Sequence, residues 1–435
     1  MTNNCAFTIV AKNYVGLALV LEQSIKRYYN NLDFYIFVAD ELNNDETYPQ
    51  NVIESKHILD IKDELWQNMS FKYNITEFCT SIKPAVFLHL INEYEKVIYL
   101  DPDILFFNNI EAIYKLLDNN LIILTPHITQ ITEISCSDSP ENTWLRSGIF
   151  NLGFCGLKKS SQAVKMLKWW KQRLINNCFD DEPTHTFTDQ KWIDFLPAFF
   201  NSNELLIIRD LGYNLAPWNF FERKVQLINQ TYYVTSRINS TEKDIYPLLF
   251  VHYSGYNYKA LMEDHTIQKN IENLPDYNDI HLILDYYKEF LKKNKDQILK
   301  FLKLSYTYNF YDNGVPIQNF HRRLYRSLCD KNVYIKDPFS CSKDSFFTLI
   351  KQKNIIANSK INIDKTTRKD INNISNKLRI INKCSRIVFK ILGYNKYILL
   401  LRFLKVYSRF ESQIHLLNKK YDSNNINSSL KIRQA

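Results

Sequence analysis

The stretch Lys96-Val97-Ile98-Tyr99-Leu100-Asp101-Pro102-Asp103-Ile104-Leu105-Phe106-Phe107 most narrows what this chain can fold into. An apolar run rich in Val, Ile and Tyr reads as a buried strand. Two carboxylates, one residue apart, end that run, and a second apolar run begins at once. Pro102 holds φ near one value and interrupts the ladder between them. Asp101 and Asp103 then project together from the carboxyl end of a strand, where open α/β sheets bind ligands. Two hard oxygen donors at that place suit Mg²⁺ or Mn²⁺ carrying a diphosphate. The same residues also suit a plain strand-ending turn, so the rest of the chain has to discriminate.

A length of 435 residues is ample for a large core and for two or three domains. With 8 Gly in the chain, neither G-x-G-x-x-G nor G-x-x-x-x-G-K-[ST] occurs, which argues against a dinucleotide enzyme or a P-loop ATPase. The 8 Cys are scattered without a C-x-x-C pair, so zinc ribbons and thioredoxin-type sites are unsupported and a reducing compartment is expected. Lys12 interrupts the first apolar run, which lacks the basic start of a signal peptide. No apolar run approaches the roughly 20 residues of a membrane-spanning helix. A cytoplasmic chain is the expectation. Residues 351–435 carry 19 Lys and Arg against 4 Asp and Glu, a net of +15, so residues 1–350 carry −6 of the total +9. The basic character belongs to the tail, and the body is not expected to bind nucleic acid.

Along the chain, Cys5–Ala11 reads as a first strand, Tyr14–Tyr29 as a helix and Asp33–Ala39 as a second strand. Asn74 with Glu77 reads as a helix start, and Pro84 as a first-turn proline. Val97–Leu100 is a strand, Asn109 a cap for the helix Ile110–Leu117, and Leu121–Thr125 a strand. Thr125 to Arg146 lacks a period and reads as a loop. Ile149–Leu157 is a strand, Ser160 to about Asn176 a helix, and Leu205–Ile208 and Leu248–Tyr253 close the α/β part. From about Ile280 the pattern is helical. The alternation predicts an α/β fold with a largely parallel sheet.

Further segments join the Asp pair in order: Ala11-Lys12-Asn13-Tyr14 at the first strand end, Asn151-Leu152-Gly153 in a strand, Thr188-Asp189-Gln190 opening a helix with Thr188 as its cap, and His252-Tyr253-Ser254-Gly255 ending a strand. Each alone has a bland alternative: a bulge, a helix N-terminus, a structural histidine. Together they resemble the GT-A glycosyltransferases, and most closely the glycosyltransferase family eight pattern, over roughly residues 5 to 260. That pattern has an Ala-x-Asn-x-x-Tyr-like motif, D-x-D, N-x-G, D-Q and H-x-x-G. The chain departs from it in the spacing of Tyr14, in Lys83 standing where Arg is usual, and in the missing Lys-Pro-Trp after Gly255, where Lys259 is the nearest basic residue. Gly212-Tyr213-Asn214-Leu215-Ala216-Pro217-Trp218-Asn219 and Tyr308 to Ile317, with Arg322, Arg323 and Tyr325, look like a bacterial group of cell-surface polysaccharide transferases. The latter block reads more simply as a packing turn around Asn313-Gly314.

The resemblance implies a GT-A, Rossmann-like domain with a mixed, mainly parallel sheet over 1–275; the residue pattern adds a helical extension over 276–350 packed on it and a basic amphipathic tail over 351–435. It implies a hexosyltransferase moving a hexose or N-acetylhexosamine from a UDP-sugar to a glycan, lipid-linked or protein acceptor, with retention, in bacterial surface glycan synthesis. Asp101, Asp103 and His252 would hold Mn²⁺ or Mg²⁺. Lys83 and Lys259 would add positive charge. Ala11, Asn13 and Tyr14 would meet the nucleoside, and Gly255 of the H-x-x-G motif would belong to the donor site. Asn151, Gly153, Asp189 and Gln190 would face the sugar, with Asp189 and Gln190 catalytic. Asn214 and Trp218 would lie on the acceptor side. The competing readings are an inactive transferase-like scaffold and a sugar-phosphate nucleotidyltransferase, the latter lacking its Gly-rich loop here. In the tail, apolar residues recur at helical spacing with Lys and Arg between them over 376–410, the pattern of a helix on the inner face of the cell membrane. Beyond about Tyr421 the Asn/Ser-rich end reads as disordered.

Overall fold

The computed structural model of the chain describes residues 3–131, 141–239, 244–271, 274, 276–356, 364 and 373–418. Its contacts divide it into two compact units, Met1–Asp63 with Ile75–Thr307, and Glu64–Asn74 with Tyr308–Ala435. This is a different partition from the three consecutive parts read from the sequence. Helices at 278–302 share a core with the first unit, while 64–74 joins the second.

In the first unit, β1 (Asn4–Val10), β2 (Asp33–Val38), β3 (Val52–Glu54) and β4 (Lys96–Leu100) precede the Asp pair, and β5 (Ile104–Phe106) follows it. Then come β6 (Ile122–Pro126), β7 (Phe150–Lys158), the short pair β8 (Asp180–Asp181) and β9 (Thr186–Phe187), and β10 (Leu205–Ile207). A seven-stranded sheet runs β10-β6-β7-β4-β1-β2-β3. Its pairs are parallel except where β7 runs against β6 and β4. This is the mixed, mainly parallel sheet expected of a GT-A domain. The strands are apolar on both faces because helices cover both. On one face Ala6, Val10, Ile36, Val38, Ile98 and Leu100 alternate along their strands and share a core with helices α1 (Val15–Lys26) and, at 111–119, a later helix. On the other, Phe7 meets Phe37, Phe87 and Tyr99 at ring-centroid distances of 5.8, 4.8 and 5.2 Å. After α2 (Asp63–Lys72) and α3 (Ile75–Ser81), α4 (Lys83–Leu90) supplies Phe87. Pro84 sits in its first turn, as expected.

α5 (Glu111–Asn119) is the later helix; the Asn109 side chain accepts from Glu111 N–H at 2.9 Å. α6 (Glu141–Ser147) lies inside the stretch read as a loop. Seven residues with little apolar period carry too weak a signal to reveal it. Residues 132–140 of that loop lie outside the described residues. α7 (Ser161–Asn177) is capped by Ser160, whose hydroxyl accepts from Ala163 N–H. The expected cap at Thr188 is not formed. Thr188 has φ +44°, and the 3-10 turn Gln190–Phe195, followed by α8 (Leu196–Phe199), starts from Asp189. β11 (Arg223–Ile228), β12 (Thr231–Ser236) and β13 (Tyr246–Pro247) form an antiparallel sheet. β14 (Phe250–His252) pairs antiparallel with β5. α9 (Tyr258–Leu261), α10 (Asn278–Lys293) and α11 (Lys295–Leu302) finish this unit. Ile280, Ile283, Leu284, Tyr287 and Leu291 of α10 share a core with Leu105, Val251 and Tyr253, behind the Asp pair.

The second unit gathers Phe71, Tyr311, α12 (Asn319–Asp330), α13 (Phe346–Gln352), Ile414 and Leu417 around one apolar cluster. Arg322, buried, donates to the carbonyls of Ser70, Phe71 and Tyr73 at the end of α2 and to Tyr308 O. A cation there complements the helix C-terminus. The turn at Asn313-Gly314 forms with Gly314 at φ +78°. The block around Tyr308–Ile317 is thus packing, as its simpler reading held. α14 (Ile374–Tyr407) occupies the basic tail and bends at Gly393, φ +69°. The end read as disordered lies outside the described residues.

Candidate functional site

β4 ends at Leu100, opposite Phe154 of β7. The next residue, Asp101, donates its N–H to Gly153 O at 2.8 Å, and Ile104 N–H returns to Asp101 O at 3.2 Å. Pro102 lies inside this turn, so both carboxylates leave on one side. β14 pairs with β5 so that His252 stands opposite Ile104, and Tyr253 N–H donates to Asp103 O at 2.9 Å. Residues 149 positions apart are thereby brought together. His252 Nε2 lies 3.1 Å from Asp103 Oδ1 and 3.7 Å from Asp101 Oδ2. One ligand atom from each of the three residues lies within 4.8 Å of the others.

Burial pushes the His252 imidazole down, but Asp103 and then Asp101 more than offset it, so its pKa lies above the ordinary value. Burial lifts the Asp101 carboxyl, helped by Asp103 and opposed by Lys83, His252 and the Tyr99 hydroxyl. Two carboxylates drawn together around an imidazole need positive charge between them. Two oxygens and one nitrogen at that spacing fit a divalent cation, with the imidazole favouring Mn²⁺ over Mg²⁺.

The N-x-G motif serves this cluster. Asn151 Oδ1 accepts from Gly153 N–H, from Asn214 Nδ2 and from His252 Nδ1, each at 3.2 Å. Three donors on one oxygen fix the amide's orientation and put the His252 proton on Nδ1. Nε2 then faces the carboxylates, where its lone pair would serve a cation held among them. Gly153 makes room: a Cβ there would stand 2.4 Å from His252 Cε1 and 2.8 Å from Asp101 Oδ2. Asn214, at φ +52° and fully buried, also donates to Thr125 Oγ1 at 2.8 Å. Trp218 meets the His252 ring edge-on at 5.2 Å and is 6% exposed. These two, read as acceptor-side residues, are both buried beside the cluster.

Lys83 opens α4 on the face that Tyr99 and Asp101 share. Its Nζ reaches Asp189 Oδ2 at 2.5 Å and Leu152 O at 2.9 Å, and lies 4.0 Å from the Tyr99 ring centroid. The Lys83 and Asp189 side chains are 1% and 3% exposed. Tyr99 completes the path, its hydroxyl donating to Asp101 Oδ1 at 2.5 Å. Lys83 therefore compensates Asp189 directly. Thr188 Oγ1 donates to Asp189 Oδ1 at 3.2 Å and Trp170 Nε1 to Asp189 O at 3.1 Å. Gln190 spends its amide on Leu152 N–H and Ser147 O, both at 3.0 Å, tying β7 to α6.

At the first strand end, Ala11 begins a 3-10 turn over Lys12–Tyr14. Asn13 Oδ1 is buried with no hydrogen-bond partner among the described residues. Tyr14, 36% exposed, meets Tyr258 edge-on at 5.7 Å between centroids, and burial of its hydroxyl, with Asp103 nearby, raises its pKa. Gly255 takes φ +78°, and Lys259 is exposed on α9.

The sequence reading missed Tyr99, His127 and Trp144. Tyr99 was within reach, since i and i+2 on a strand share a face. His127 stacks on Trp144 at 4.3 Å and meets Trp218 at 5.2 Å; nothing in its surroundings along the chain marks it.

Residues 5–260 match the profile of glycosyl transferase family 8, more than half of the chain. The uncharacterized proteins YfnD and YfnF of Bacillus subtilis (strain 168) are 23% and 22% identical to it. The matches cover 57% and 65% of this chain and 76% and 90% of theirs. Among solved structures, the galactosyltransferase LgtC, crystallised with donor and acceptor sugar analogs, is 14% identical at a TM-score of 0.38, covering 67% of this chain and 95% of its own. The chain is a glycosyltransferase and belongs to glycosyl transferase family 8.

Proposed function

We propose that the chain transfers a hexose or N-acetylhexosamine from a UDP-sugar, with retention, to a glycan, lipid-linked or protein acceptor in bacterial surface glycan synthesis. The observation that carries this reading is the Asp101/Asp103/His252 cluster in a family 8 chain. Mn²⁺, or Mg²⁺, held there would supply charge to the departing diphosphate. Asn13 Oδ1, without a partner among the described residues, suits an N–H of the base. Ala11 and Tyr14 flank it, Gly255 shapes the turn after His252, and Lys259 adds positive charge from α9. Asp189 orients the sugar, its charge compensated by Lys83, and Gln190 braces the strand and helix around it. Asn151, Gly153, Asn214 and Trp218 hold His252 in register. The same reading places the chain in the cytoplasm, in contact with the membrane through 376–410. Among the described residues no helix is long and apolar enough to cross a membrane.

The test is UDP release and binding with and without Mn²⁺. Asp103→Asn is expected to abolish Mn²⁺-dependent UDP binding while leaving the circular-dichroism spectrum unchanged. Unchanged UDP affinity and turnover in that variant would sink the assignment.

A further inference from the structure

α14 buries none of its residues. Ile381, Ile387, Ile391 and Leu399 are 60%, 58%, 76% and 62% exposed. Residues 374–407 hold eight Lys and Arg and no Asp or Glu. Gly393 divides the helix into two arms, and a Cβ there would meet nothing within 4 Å. The bend is braced: Tyr397 meets Phe389 edge-on at 5.2 Å, and its hydroxyl bonds that of Ser385. Each arm interleaves aliphatic and basic residues.

The composition of this element selects its occupant. A second copy of α14 would bring eight cations against eight, with no acidic residue between them. Nucleic acid would use the Lys and Arg, but it offers nothing to exposed Ile and Leu. An anionic bilayer satisfies both, with phosphates for the cations and acyl chains for the aliphatics. The Lys and Arg positions interrupt the apolar runs, the longest of which is Tyr397–Leu401, so the element lies on a bilayer rather than across it. Residues 1–350, at net −6, would be repelled by such a surface.

We propose that α14 is an interfacial anchor whose two arms lie in the plane of an anionic lipid surface, bent at Gly393. This rests on the membrane-contact reading above and names its partner chemistry. The test uses the full chain, sedimented with phosphatidylcholine vesicles with and without phosphatidylglycerol, with UDP release measured alongside. Binding is expected only with phosphatidylglycerol, weakening as salt rises. Lys383→Glu, Arg386→Glu and Lys390→Glu together should weaken it about a hundredfold. Ile381→Asn, Ile387→Asn and Ile391→Asn together should weaken it at least about tenfold. Equal binding to neutral vesicles, or wild-type binding by either triple variant, would overturn the proposal. So would self-association that disappears in the Ile variants, or binding to duplex RNA in place of vesicles. UDP release without vesicle binding would overturn the anchor and leave the transferase reading standing; vesicle binding without UDP release would do the reverse.

Discussion

Gly153→Ala probes the packing that holds the cluster together. The new Cβ would stand 2.4 Å from His252 Cε1, 2.7 Å from Nδ1 and 2.8 Å from Asp101 Oδ2, where ordinary contact is 3.4–4 Å. His252 would have to retreat by about 1 Å, the shortfall from ordinary contact. It cannot do so freely, since Nδ1 is bonded to Asn151 and Trp218 stands against the ring. Overpacking of this kind costs about 1–3 kcal/mol of stability. Metal ligands tolerate only about 0.2 Å of displacement, so Mn²⁺ affinity should fall at least about tenfold, or ~1.4 kcal/mol. Gly156→Ala is the control. Its Cβ would meet Ile123 Cγ1 at 2.6 Å, a comparable overlap, but three residues along β7 and so on the opposite face of the sheet. Titration calorimetry with Mn²⁺ and UDP, beside urea unfolding, separates the two effects. Both variants should be destabilised, and Gly153→Ala alone should lose Mn²⁺. Wild-type Mn²⁺ affinity in Gly153→Ala, or equal loss in both, would refute the reasoning.

Two further outcomes are expected. Lys83→Met strands Asp189 as a buried, uncompensated carboxylate and should cost about 3–5 kcal/mol, most of it recovered when Asp189→Asn is added; a double variant as unstable in urea as Lys83→Met would show that the pair is not coupled. Burial lowers the His127 pKa to about 3, whereas the unfolded ring takes up its proton near 6.5. The unfolded state therefore binds more protons between these values. The stability this group contributes is complete above about pH 6.5 and falls on acidification by up to ~1.4 kcal/mol per pH unit. His127→Phe should lack that component, and identical acid slopes for the two proteins in urea titrations would count against it.

The strands, the Asp pair at a strand end and the Asn109 hydrogen bond to the first turn of α5 were legible in the sequence, because each depends on neighbours within a few residues. Hydrophobic runs report burial, and a cap needs only its own first turn. The order of the motifs was likewise enough to point to the family. Other features depend on partners far along the chain. Lys83 reads as charge for a diphosphate, and its pairing with Asp189 follows only from α4 lying over the Tyr99 face, which puts residues 106 positions apart within a hydrogen bond. Asn151 reads as sugar-facing until β14 brings His252 Nδ1 to its oxygen. Asn214 and Trp218 read as acceptor-side residues, and their burial beside that histidine follows only from the fold. The grouping of 64–74 with 308–435 was invisible for the same reason, since Arg322 finds the end of α2 only in the folded chain. Local periodicity and turn chemistry specify which elements form. Which side chains share a site depends on sheet order and helix placement, and those follow from burial summed over the whole domain.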